Sequence, residues 1–128
     1  MYLRFVTNQA DEITGLPLGV FAVAYDLWRD ELNPQHIRDE IRVTLDWFVK
    51  HLPVPDRFRR SRKPHREAKG LCWFKTDATE CVQHVRYLVH LVEECDIHVR
   101  KLTTSEPGYT IYEDDFQLVA EPFGSTPR

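Results

Sequence analysis

No stretch of this chain is apolar for long enough to cross a membrane. Its longest apolar run, Leu16 to Tyr25, is short and interrupted by Pro17 and Gly19. The opening residues Met1 to Val6 lack a basic region followed by a long apolar core, so a secretory signal is not expected. There are only three cysteines, an odd number with no CxxC pair, which reads as reduced thiols in a cytoplasmic protein. The catalytic and nucleotide-binding signatures GxSxG, GxxxxGK[ST], GxGxxG and HExxH are all missing. No cofactor is therefore implied. The 42% hydrophobic and 29% charged composition argues against disorder, collagen and coiled coil.

What remains is 128 residues, a length that fits one domain spanning 1–128 and burying a core without disulfide or metal. Residues 2–7 are rich in β-formers and predict a strand. Leu16, Val20, Val23, Ala24, Leu27 and Trp28 recur at helical spacing and predict a helix from about Pro17 to Glu31. Asn33-Pro34 is expected to cap a second helix, whose stripe is Ile37, Ile41, Leu45, Phe48 and Leu52. Pro53 and Pro55 stop it. Leu71 to Phe74 predicts a short buried strand. Thr76 or Asp77 is the expected cap of a third helix, with Cys81, Val85, Leu88, Val92 and Cys95 on its core side. Strands are predicted at 97–103, 109–113 and 116–120, the last two joined through Asp114-Asp115, followed by a short tail at 122–128.

The resulting order is β-α-α-β-α-β-β-β. It predicts an α+β fold, with a mixed, largely antiparallel sheet and about three helices packed mainly on one face. The short turns predict that the last three strands form an antiparallel meander.

Four clusters carry a resemblance: Tyr2-Leu3-Arg4-Phe5-Val6; Leu45-Asp46-Trp47-Phe48 with Pro55-Asp56-Arg57-Phe58; Cys72-Trp73-Phe74-Lys75; and Pro107-Gly108-Tyr109-Thr110-Ile111-Tyr112-Glu113-Asp114 running on through Gln117 to Phe123. Together they resemble an uncharacterised family of small bacterial proteins that close on this Tyr-Glu-Asp hairpin. The resemblance spans nearly the whole chain. It implies a single compact bacterial domain and brings no activity with it.

The most distinctive local feature is electrostatic. Arg57, Arg59, Arg60, Arg62, Lys63, Arg66 and Lys69 fall within thirteen positions and are opposed only by Glu67, while the chain as a whole carries −3. Residues from about 53 to 70 lack hydrophobic period and predict a basic exposed loop on an acidic body. Arginines suit bidentate recognition of phosphate or carboxylate, and Phe58 could stack on a base. A dedicated nucleic-acid domain is usually basic overall, and this chain is acidic. The plainest alternative is a solvated loop that pairs with the acidic body.

Three further constellations could carry chemistry or contacts. Lys75, Tyr112, Glu113 and Asp114 could join Arg57 in one cleft, as a ligand clamp or a small enzyme's acid–base site. A turn in which Asp114 bonds its own backbone explains the acidic residues more simply. Cys81-x-x-His84 and Cys95-x-x-His98 mimic zinc-ligand spacing, but about 21 Å of one helix separates the two cysteines, so no metal is implied. Trp47 lies off its helical stripe, and Trp73 and Phe74 point to opposite faces of a strand. An exposed member of either set would offer a patch for a homodimer.

These readings converge on a non-catalytic binding or interaction module. It would use Arg57, Arg59, Arg60, Arg62, Lys63 and Arg66, with Lys75, Tyr112, Glu113 and Asp114 beside them, for a phosphate-bearing or protein partner and not a membrane. The alternative is a small enzyme or toxin-like effector with a Lys/Arg/Tyr/acidic cleft.

Overall fold

The computed structural model describes residues 1–54 and 70–128. Arg57, Arg59, Arg60, Arg62, Lys63 and Arg66 lie outside the described residues. The strands are β1 (Tyr2–Ala10), β2 (Pro17–Gly19), β3 (Leu71–Lys75), β4 (Val99–Thr104), β5 (Tyr109–Glu113) and β6 (Gln117–Glu121). The helices are α1 (Val20–Arg29), α2 (Gln35–His51) and α3 (Thr79–Glu94). Every strand pairing is antiparallel. This is the α+β fold the sequence predicts, with one extra strand.

That strand comes from the start of the expected first helix. Gly19 pairs with Val6 and Pro17 with Ala10. The hairpin between them turns at Asp11, whose carboxylate accepts from the N–H groups of Ile13 and Thr14 at 2.9 and 2.8 Å. Gly15 follows at φ +71°, a conformation that disfavours any side chain. Thr7 Oγ1 donates to the Leu18 carbonyl at 3.0 Å and holds the short strand in place. Helix α1 therefore begins only at Val20.

Two capping expectations are also corrected. The Asn33 amide donates backwards to the Leu27 carbonyl at 3.1 Å, closing α1 instead of opening α2. Neither α2 nor α3 has a side-chain cap bond at its start.

Strand alternation sorts the core into two parts. Leu3, Phe5, Phe74 and Val99 face all three helices, meeting Val23, Ile41, Leu45, Phe48, Val85 and Leu88. Val6, Trp73 and Leu102 point the other way and form a second cluster, with Tyr2 and Leu71 against it. No helix residue belongs to that cluster, so the helices do sit on one face.

The predicted meander does not form. β5 and β6 make a hairpin, but β4 pairs residue by residue with β1, from Tyr2↔Thr104 to Thr7↔Val99. The sheet thus runs β4-β1-β3-β6-β5, with β2 beside the far end of β1. In a flat sheet β4 and β5 would lie about 19 Å apart. The five residue steps from Thr104 to Tyr109 span about 18 Å when fully extended. The sheet must therefore curl to bring its ends together. Arg100, on the same face as Leu102, donates to the Arg128 carbonyl at 3.3 Å, and buried Thr126 donates to the Pro107 carbonyl. The C-terminal tail is thus tied to β4 and to the loop before β5, and Trp73 is fully enclosed.

Candidate functional site

The sheet separates residues that the sequence reading placed in one cleft. Lys75 follows Trp73 by two and shares its face. Its Nζ meets Glu113 Oε2 at 2.8 Å, and that hydrogen bond raises the Lys75 pKa. A bulge in β5 decides where Tyr112 goes. Thr110 pairs with Ala120 and Tyr112 with Val119, so Ile111 is the extra residue. The bulge turns Tyr112 to the helix side, opposite Glu113. Tyr112 Oη donates to Asp114 Oδ2 at 2.7 Å there. Lys75 meets Glu113, and Tyr112 meets Asp114, but the two pairs lie on opposite faces. The single clamp of all four does not exist. The Lys75–Glu113 pair is partly exposed and contributes at most about 1 kcal/mol.

Asp114 is the turn residue its sequence context implies. Its carboxylate accepts from Phe116 N at 2.8 Å, Gln117 N at 3.0 Å, Gln117 Nε2 at 3.0 Å and the Tyr112 hydroxyl. Burial pushes its pKa up, but these bonds outweigh burial and leave it below the usual carboxylate value. A lowered folded-state pKa stabilises the protein above the unfolded value, and that contribution is lost as pH falls through the folded one. Asp114→Asn is expected to cost about 1 kcal/mol at pH 7, given its solvent contact. Urea unfolding from pH 7 to pH 3 should show a steeper loss of stability in the wild type than in the variant. Parallel curves would refute the assignment.

Gln117, only 3% exposed, links this turn to the interior. Its Nε2 donates to the Pro53 carbonyl at 2.7 Å as well as to Asp114. Its Oε1 accepts from the Cys72 thiol at 3.1 Å. One amide thus ties together the end of α2, strand β3 and the β5–β6 turn. Burial pushes the Cys72 thiol up to about 12, against the pull of the Arg4 charge. A thiol so raised and bonded to an amide is not a nucleophile at neutral pH.

Beside this network opens a cavity of about 520 Å³. Its walls are Val20, Phe21, Ala22 and Tyr25 of α1, Leu45, Phe48, Val49 and Leu52 of α2, and Leu71, Cys72 and Phe74 of β3. Val54 and Gly70, the described residues that bracket 55–69, are on its rim. Arg4 reaches it through a notch. On one side of β1, β3 pairs with Tyr2 and Leu3, and β2 begins only at Val6. The gap opposite Arg4 is bounded by Gly19, which has no side chain to fill it; a Cβ there would sit 3.5 Å from Arg4 Nη2.

The cleft's polar residues, Arg4 and Gln117, were not foreseen. The available signal was a lone cation within the apolar run Leu3-Arg4-Phe5-Val6. Alternation alone sends Arg4 to the opposite face, and only the gap between β2 and β3 lets it turn back.

Trp47, one of the aromatics that could have offered an exposed patch, is half-buried and stacked on two imidazoles. Its ring stacks on His84 at 3.6 Å and on His51 at 4.5 Å between centroids. Both histidines donate Nδ1–H to the carbonyl four residues earlier, at 2.8 Å for His51 and 2.7 Å for His84. Cys81 is buried and Cys95 half-buried. Among the described residues no group of three or more His, Cys, Asp or Glu side chains is arranged to hold a metal ion. No helix among them is long and apolar enough to cross a membrane. No family model matches the chain, and no curated protein or solved structure shows significant similarity to it.

Proposed function

We propose that this chain is a binding module whose cleft between α1, α2 and β3 takes a small, mainly apolar organic molecule. The supporting observation is the cavity itself. About 520 Å³ is in the size range of small-molecule sites, and its walls are chiefly aliphatic and aromatic with a few polar groups. An enzyme reading has less support. The cleft's one thiol is held protonated, and the expected Lys75–Tyr112–Glu113–Asp114 cleft is split by the sheet. A phosphate-bearing or protein partner for Arg57, Arg59, Arg60, Arg62, Lys63 and Arg66 is a separate proposal, supported by their charge alone.

Ala22 tests the cleft because it lines the cavity yet is exposed, so a larger side chain there leaves the core intact. The wild type is expected to bind the neutral dye Nile red with a blue-shifted fluorescence gain. Ala22→Trp should weaken that binding at least about tenfold, a modest steric cost of 1.4 kcal/mol, with an unchanged circular dichroism spectrum. No dye binding, or binding indifferent to Ala22→Trp, would overturn the proposal.

A further inference from the structure

We infer that Arg4 is the anion receptor of this cleft and that its ligand is a monocarboxylic acid with an apolar body. The inference rests on the cleft being a binding site and names the chemistry that site selects.

The argument begins with unmet donors. A guanidinium carries five N–H groups and no acceptor. Among the described residues the Arg4 side chain makes one hydrogen bond, a long one of 3.4 Å from Nη1 to the Cys72 carbonyl. Its Nε is buried with no partner. No carboxylate pairs with it among the described residues. Burial lowers its pKa, as expected of a half-buried cation with no carboxylate beside it among the described residues. Buried polar groups left in this state are uncommon in native proteins and call for a physical reason. A ligand anion supplies one.

The surroundings narrow the class. Arg4 is the only formally charged side chain among the described residues of the cleft. Gln117 is already committed, its amide to Pro53 and Asp114 and its carbonyl to the Cys72 thiol. A single cation balances a single negative charge, and the planar guanidinium fork matches a planar carboxylate. With Arg4 as its sole counter-charge, a dianionic phosphate would keep an uncompensated charge among Phe21, Phe48 and Phe74. The remaining walls suit an alkyl or aryl body.

The full chain is titrated with decanoic acid, 1-decanol and decyl phosphate at pH 7.4, each displacing Nile red. Decanoic acid is expected to bind about 10- to 100-fold more tightly than decanol, the range of a charge-assisted hydrogen bond. Arg4→Gln should abolish that preference, so that decanoic acid binds the variant no more tightly than decanol does. Arg4→Lys, which keeps the charge but not the fork, should retain part of it. Equal binding of acid and alcohol to the wild type would overturn the Arg4 assignment while leaving the cleft standing, as would an acid preference that survives Arg4→Gln. Tighter binding of decyl phosphate than of decanoic acid would overturn the carboxylate class. Failure of the dye to bind at all would remove the cleft, and the inference with it.

Discussion

Replacing Trp73 with alanine is expected to cost about 3–5 kcal/mol, enough to unfold much of the protein at room temperature. Trp73 is the largest fully enclosed side chain among the described residues, and it sits on the face of the sheet whose core cluster holds no helix residue. Its neighbours Val6 and Leu102 are held in the β1–β4 ladder and cannot collapse freely into the void. Trp73→Phe is expected to cost far less. It leaves a smaller cavity and removes the indole N–H, which is buried without a partner. Trp28→Ala, at a half-buried position beside Tyr25 and at the margin of the larger core, is the comparison. Urea unfolding should rank the losses as Trp73→Ala, then Trp28→Ala and Trp73→Phe. Equal losses for the two alanine variants would contradict the curled-sheet account.

The second large effect is expected at Gln117. Leucine nearly conserves its volume, so packing is largely preserved and the loss reads the hydrogen bonds. Gln117→Leu strands the Pro53 carbonyl and the Cys72 thiol and removes a donor from Asp114. A cost of about 3 kcal/mol follows, because buried groups left unpaired carry their desolvation penalty. Gln35→Leu, which removes an amide bonded to Asp39 on the exposed face of α2, should be near neutral. Combining Gln117→Leu with Asp114→Asn should give a loss smaller than the sum, since the two share one network. Strict additivity in urea titrations would show that the amide and the carboxylate act independently.

Both effects arise where local sequence pattern has least reach. Trp73 and Phe74 were legible as a strand pair facing opposite sides, but not that the helix-free side closes completely. Gln117 looks like an ordinary polar residue of a hairpin strand. Its role depends on Pro53 and Cys72, which are 64 and 45 residues away in the chain. Lys75, Tyr112, Glu113 and Asp114 were named together although alternation alone sends Tyr112 and Glu113 to opposite faces; the one-residue bulge at Ile111 decides that Glu113, and not Tyr112, shares the face of Lys75.

The sequence by itself determined what repeats locally: the apolar stripes of α2 and α3, the Asp114 turn, and three helices on one face of an antiparallel sheet. It also determined the separation of seven cations from an acidic body. The tertiary structure alone decided that β4 joins β1, that Pro17–Gly19 becomes a strand, and that Arg4 turns into an apolar cleft through the gap between β2 and β3. The reason is physical. Periodicity records how a side chain points relative to its own backbone, whereas strand partners, bulges and gaps are settled by contacts between segments far apart in the chain.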